Sequence, residues 1–274
     1  MTLSIHALAS GSSGNATLVA SRGPARGDFL LIDAGVSLAA LEQALAPHGL
    51  MPERLDGVVL THEHADHVRS AYVLARRCAV PVIANRRTLD KLFHGKDEVP
   101  HRVLATGQSL EIGALRVETF PVPHDAADPV GVNIHCDGYK VSHVTDVGAI
   151  TPAIRAAVRR ADLLVLEANH DVHRLNAGPY PDILKRRILS DRGHLSNEDA
   201  VRFLVEHVQE TGPCALWLAH LSKTNNLPKL AMNYARATLK LEAGAPFALD
   251  IALRDRPSAY WTPRSRPLQL CLFQ

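Results

Sequence analysis

The chain has 274 residues, 46% of them hydrophobic and 21% charged, enough for a sizeable core in one large domain or two small ones. Lys and Arg total 30 against 28 Asp and Glu, a formal charge of +2, so overall charge argues for neither nucleic acid nor a membrane as partner. No apolar run approaches the roughly 18 residues a membrane-spanning helix needs, so no membrane partner is expected. The opening "MTLSIHALASGSSG" lacks the basic region and long apolar core of a signal peptide. Cys78, Cys136, Cys214 and Cys271 form no CxxC pair and sit in apolar contexts, as expected of reduced thiols in a cytoplasmic protein. Histidine is used heavily, with 15 copies, and imidazole is the commonest protein metal ligand.

In chain order, "LSIHALAS", "GNATLVAS" and "DFLLIDAG" read as strands, with a Gly/Pro/Arg turn at 22–27. "SLAALEQALAPHG" is a helix with Leu38, Leu41 and Leu45 on one face, ended by Pro-His-Gly. "GVVLTH" and "VPVIAN" are short apolar strands, and a helix is expected from about Asp66, with Val68, Ala71, Tyr72 and Ala75 inward. "SLEIGALRVETFPV" and "GVNIHCDGYKVSHVTD" are hairpins, the second turning at Asp137-Gly138. "TPAIRAAVRRA" and "SNEDAVRFLVEHV" are helices, the latter with Ser196 and Asp199 placed as a capping box. "DLLVLEAN", "CALWLAH" and "FALDIAL" are strands, and a last helix covers 228–241.

Strands therefore fall into groups at about 1–83 and 103–148, with more later and helices between. Two sheets face to face with helices outside fit this better than one parallel sheet. A single domain is expected over 1–274. Its Pro- and Arg-rich tail from about 256 is read as irregular, packing loosely or clasping a neighbouring copy, which leaves a homo-oligomer open.

The chemistry concentrates in "LTHEHADHVRS", where three histidines and two carboxylates fall within six residues, His62 to His67. On an extended segment His62 and His64 share a face, and Asp66 and His67 begin a helix that turns back toward them. This mix of nitrogen and oxygen donors suits zinc, manganese or iron. Six consecutive residues wrap a single ion poorly, so two ions are expected, one on the His pair and one on Asp66 and His67. Partners must come from elsewhere. His124 in "PVPHDAADP", Asp146 in "HVTDVG" and His220 in "LWLAHLS" each follow an apolar strand, and a carboxylate such as Asp146 can bridge two cations.

With these residues in view, the chain resembles the metallo-β-lactamase superfamily, whose signature is HxHxDH, and within it the WalJ/YycJ-like branch. The matching segments are "LASGSSGNATLV", "LLIDAGVS", "VVLTHEHADHV", "VPHDAADPVGV", "VTDVG", "LLVLEANHD", "GPYPDILKRRI", "GHLSN" and "LAHLSKTNNLP", in order from residue 8 to about 229. The resemblance implies an α/β fold, an αββα four-layer sandwich with two facing mixed sheets and a two-metal cleft between them. It implies His62, His64 and His124 on one metal, Asp66, His67 and His220 on the other, and Asp146 with a water bridging. It also implies catalytic roles for Asp66, Glu167 and His194, the last two matching a proton-donating pair of tRNase Z-like nucleases.

Two cations about 3.5–4 Å apart acidify a bridging water and clamp a phosphoryl oxygen. By resemblance, the expected activity is a phosphodiesterase, a 5′→3′ DNA exonuclease with nucleic acid as substrate. The residues alone also allow a thioester, a lactam or a cyclic nucleotide, and a non-catalytic regulatory binding protein is the reading from another class. The length leaves no room for a β-CASP domain. Lesser expectations are a phosphate cradle in "SGSSGN" (10–15), an orienting role for Asp33, and a loop brace from His170 and Asp171. Lys185, Arg186 and Arg187 form a basic patch, and His6, His48, His94, His101, His135, His143, His173 and His207 are structural.

Overall fold

Strands that are apolar on both faces must be covered on both faces. In the strand Gly27–Ile32, Leu30 and Ile32 enter one core while Phe29 and Leu31 enter another. In Ala215–Ala219, Trp217 faces the first of those cores and Leu216 and Leu218 face a third. Three cores need four layers. The computed structural model describes residues 2–23, 27–97, 99–211, 214–242 and 248–263.

The first sheet holds β1 (Thr2–Ala9), β2 (Ala16–Arg22), β3 (Gly27–Ile32), β4 (Gly57–Val59), β5 (Val82–Ala84) and β6 (His101–Val103) in sequence order. The second holds β7 (Ser109–Ile112), β8 (Leu115–Pro121), β9 (Val130–Cys136), β10 (Tyr139–Val144), β11 (Leu163–Glu167), β12 (Ala215–Ala219) and β13 (Ala248–Ile251). The last short strand, β14 (Tyr260–Trp261), crosses back to pair antiparallel with β1. Both sheets are mixed. The core between them contains Ile5, Val19, Val59, Val117, Ile134 and Trp217.

Outside the first sheet lie α1 (Leu38–Leu45), α2 (Ala65–Val68), α3 (Ala71–Cys78) and α4 (Arg86–Phe93). Later come α5 (Pro152–Val158), α6 (Val172–Ala177), α7 (Asp182–Ile188), α8 (Asn197–Thr211) and α9 (Pro228–Glu242). α5, α8 and α9 cover the second sheet through Ile154, Phe203, Leu204 and Leu239. Side-chain caps fix several starts: Ser37, Asn85, Thr151 and Asp171 each accept from a backbone N–H three residues on. Ser196 does the same for Asp199, as the sequence predicts.

The αββα sandwich is as expected, with several differences. The helix expected from Asp66 is two helices. Ala34, just after β3, docks in the gap, donating to the His67 carbonyl and accepting from the N–H and hydroxyl of Ser70. The short elements β6, α4 and α6 are additional, and β6 belongs to the first sheet rather than the second strand group. The tail is not wholly irregular from 256, because Trp261 is buried against the inter-sheet core. Residues 264–274 with Cys271, and much of the turn at 22–27, lie outside the described residues. Among the described residues Cys78, Cys136 and Cys214 are free thiols, and no helix is long and apolar enough to cross a membrane.

Candidate metal centre

Strand direction assembles the site. β10, β11 and β12 are parallel, and β8 runs the same way through the antiparallel β9. Their carboxyl ends deliver His124, Asp146, Glu167 and His220 to one edge. In the first sheet β3 and β4 are parallel, and their ends deliver Asp33 and the Thr61–His67 loop to the same place. Ligands of α/β sheets sit at such carboxyl edges.

Local backbone aims the side chains. His64 is extended, with φ −63° and ψ 147°, and caps α2, so α2 turns Asp66 and His67 back over His62. The His62 ring centroid lies 4.1 Å from that of His67, 4.6 Å from His64 and 5.1 Å from His124. Asp33, Asp146 and His220 have φ of 62°, 54° and 54°. This left-handed conformation costs a non-glycine residue of order 1–3 kcal/mol and recurs at functional sites. Gly35 is required by contact: a Cβ there would strike the Asp66 carbonyl and the Asn15 N–H.

The structure brings all seven expected metal ligands together. His62, His64 and His124 present nitrogens within 4.8 Å of one another, as do the donor atoms of Asp66, His67 and His220. Asp146 stands between these sets, with Oδ2 3.0 Å from His67 Nε2 and Oδ1 3.7 Å from His124 Nε2. Oδ1 is equally near His220 Nδ1, at 3.6 Å, so Oδ2 faces the second triad and Oδ1 lies between the two.

Buried acceptors hold the imidazoles. Asp33 accepts from His67 Nδ1 at 2.8 Å, and from the Thr61 N–H and hydroxyl. His124 Nδ1 donates to the Gly193 carbonyl at 3.1 Å. Glu167 is fully buried; its Oε1 accepts from His220 Nδ1 at 2.7 Å and from His194 Nδ1 at 2.8 Å. Its Oε2 accepts from the Val147 N–H at 2.8 Å. Glu167 thus orients an expected ligand and also holds His194 beside the cluster. The hydrogen bonds fix the tautomers and leave Nε2 of His67, His124 and His220 facing the cluster.

The electrostatics suit cations. Burial opposes charge on His220, but the Asp146, Asp66 and Glu167 carboxylates outweigh it and push its pKa up to about 10. Burial likewise disfavours charge on His67, and the carboxylates of Asp146 and Asp33 raise it well above the usual value. Against burial, the His194 and His220 imidazoles hold Glu167 down at about 2. Carboxylates that favour imidazolium here favour a divalent cation in the same place. Nε2 of His62 and of His220 are buried without a hydrogen-bond partner, a cost that a coordinated metal removes. The donor set therefore fits a pair of divalent ions.

Other expectations fare differently. The N–H groups of Ser10, Gly11, Gly14 and Asn15 all donate to protein acceptors, so those four do not serve as a phosphate cradle. Asp171 braces by capping α6, while both ring nitrogens of His170 are buried without a partner. In the basic patch Lys185 donates to the Asn176 carbonyl and Arg187 pairs with Asp125 at 2.5 Å. None of the eight histidines expected to be structural joins a ligand group among the described residues. The sequence reading missed Asp125, whose Oδ1 lies 3.3 Å from His124 Nε2, and Asn169, which donates to the His220 carbonyl. The only signal for Asp125 was its place next to His124.

Comparison with known proteins agrees with this geometry. Residues 29–220 match the family described as the beta-lactamase superfamily domain. The chain is 37% identical over 234 residues to a Bacillus anthracis protein named exodeoxyribonuclease YycJ, covering 84% of this chain and 87% of that one. It is 36% identical over 229 residues to exodeoxyribonuclease WalJ of Streptococcus pneumoniae, covering 82% and 83%. The metallo-beta-lactamase fold protein YhfI from Bacillus subtilis superposes with a TM-score of 0.69 at 18% identity, covering 95% of this chain and 99% of that one. Sequence, sandwich and clustered donors converge: the chain belongs to the metallo-β-lactamase superfamily and is a metal-dependent hydrolase of that fold.

Proposed function

We propose that this hydrolase is a DNA exonuclease that digests from the 5′ end in the cytoplasm. The observation that carries the reading is the Glu167 carboxylate shared between His220 and His194. A phosphodiester departs as an alkoxide and needs a proton at that moment. His194, fixed through Nδ1, presents Nε2 to the cleft and supplies it. The names of the relatives, at 37% and 36% identity, support DNA as the substrate. The free thiols of the described residues fit a reducing compartment.

His62, His64 and His124 would hold one metal and Asp66, His67 and His220 the other, with Asp146 shared. When bound, such a pair acidifies water and polarises a phosphoryl oxygen. Zinc, manganese and iron all suit these donors. Asp66 is the ligand carboxylate with access to the cleft, 22% exposed, and passes the proton of the attacking water toward solvent. Glu167 keeps His194 aligned between turnovers. A small-molecule hydrolase predicts a closed, apolar pocket. The cavity beside His194 is instead mixed: Tyr180, Leu184 and Ile188 line it together with Ser12, Asn169 and the charged Asp125 and Arg187.

The test is digestion of end-labelled single- and double-stranded DNA and RNA by metal-loaded protein, with Asp66→Ala as control. Stepwise shortening of DNA, absent in the variant, is expected. Turnover of bis-p-nitrophenyl phosphate without digestion of any polymer would transfer the assignment to a small phosphodiester.

A further inference from the structure

One cavity lies beside His194, and a second lies across the loop 10–15 from it. The smaller, about 190 Å³, lies beside His194 and is walled by Ser12, Asn169, Tyr180, Leu184 and Arg187. The larger, about 340 Å³, is lined by Ser13, Gly14, Arg69, Arg254 and Arg256, with Asp255 as the one carboxylate against three guanidinium groups. Consecutive residues of the loop thus face opposite ways, Ser12 into one cavity and Ser13 into the other. This loop is tied down next to the site, because Asn15 donates to the Asp66 carbonyl from its backbone N–H at 2.8 Å.

Both cavities carry cations. In the smaller, Nε and Nη2 of Arg187 each lie 2.5 Å from Asp125 Oδ2. The other Asp125 oxygen reaches toward His124, so the guanidinium is tethered to the edge of the metal cluster. In the larger, Arg69 and Arg256 make no ion pair among the described residues. The stem of Arg254 lies on Gly11, and its Nη1 donates to the Ser222 carbonyl at 3.3 Å. Ser222 lines the smaller cavity, so Arg254 spans from one cavity to the other along the dividing loop.

We infer that a single DNA strand crosses the Ser12–Gly14 loop, with its 5′-terminal nucleotide beside His194 and the following phosphates on Arg69, Arg254 and Arg256. The inference rests on the phosphodiesterase reading and adds a strand path to it. The chemistry sets the direction. Water adds to phosphorus and the P–O3′ bond breaks. Its electron pair leaves on O3′, which takes the proton from His194, while the proton of the water departs past Asp66. The departing piece keeps the 3′-hydroxyl, and the shortened strand keeps the phosphate as its new 5′ end. The piece next to His194 is therefore the one released, and the smaller cavity lies there. In the opposite polarity the O3′ beside His194 would belong to the polymer, which would have to thread past Tyr180 and Leu184. Arg187 is placed to receive the 5′-phosphate of the departing nucleotide.

Two readouts test this path. In the first, a fluorescent single-stranded 20-mer is titrated by anisotropy, without turnover, against wild-type protein and an Arg69→Gln/Arg256→Gln double variant across a salt series. The variant is expected to bind more weakly, with the salt slope reduced by about 1.4, roughly 0.7 for each lost phosphate contact. In the second, kcat/KM of the metal-loaded protein is measured on the 20-mer and on a 5′-phosphorylated dinucleotide. The double variant should lose more on the 20-mer than on the dinucleotide, and Arg187→Gln should lose the preference for 5′-phosphorylated over 5′-hydroxyl ends. An unchanged salt slope, equal losses on both lengths, or digestion from the 3′ end overturns the path and leaves the phosphodiesterase reading standing. A wild-type protein that cleaves neither DNA nor bis-p-nitrophenyl phosphate overturns both.

Discussion

Each sheet buries one carboxylate beneath the centre, and the two are used differently. Asp33, at the end of β3, spends its oxygens on His67 and on Thr61. Everything it touches belongs to the loop that carries His62 to His67. Glu167, at the end of β11, divides its acceptors among His220, His194, and the Val147 and Leu195 N–H groups. It therefore connects an expected ligand with an imidazole outside both metal triads. A carboxylate that serves only a ligand stabilises the metal site. In the proposed mechanism, one that also serves a non-ligand imidazole links metal binding to proton transfer. Both are fully buried, so burial does not distinguish them; only their partners do.

The strongest way to break this contrast is Glu167→Gln, which leaves one acceptor oxygen where two imidazoles compete. It should lower kcat by about 10²–10⁴ and weaken metal binding by about 10–100-fold, read by turnover at saturating metal and by competition with a chelator. An unaltered kcat would reduce Glu167 to the same standing as Asp33. His194→Ala should separate the two functions, with a comparable fall in kcat of about 10²–10⁴ and a metal affinity close to wild type. Loss of metal in that variant would mean that His194 is itself a ligand. Asp33→Asn should show the converse, a metal affinity reduced by about 10–100-fold with kcat recovered at high metal.

The smallest effect is on stability and lies beneath both carboxylates. His143 is buried between the sheets, and burial lowers its pKa from 6.5 to about 4. Because the folded form refuses a proton that the unfolded chain accepts, the contribution is intact above about pH 6.5 and lost as pH falls toward 4. Full protonation costs up to about 3 kcal/mol. Urea midpoints at pH 7.5 and 5 should therefore fall further for wild type than for His143→Gln, and an equal fall would remove His143 as the cause.

How much was legible differs between the halves of the site. His62, His64, Asp66 and His67 are adjacent in sequence, so local geometry alone predicted a shared cluster. His124, Asp146 and His220 come from β8, β10 and β12, and each stood out only as a polar residue after an apolar strand. Those three become one site because their strands run the same way and end at one edge, which is a property of the sheet rather than of any segment. The tethers of the centre were less visible still. Asp125 holding Arg187, and Gly193 accepting from His124, join residues 62 and 69 positions apart. The break between α2 and α3 was invisible for the same reason, since apolar spacing continues through Ser70 while Ala34 arrives from another strand.

The sequence by itself determined the layers and the donors. Apolar strands with two buried faces require cover on both sides, and six residues rich in imidazole after β4 have a metal site as their natural use. Tertiary structure alone decided which strand ends meet, that Asp146 stands between the triads, and what Asp33 and Glu167 each accept. Side-chain periodicity is a local property that sequence carries directly. The meeting of strand ends, and the left-handed turns that aim Asp33, Asp146 and His220, arise only when two sheets pack and leave one edge open.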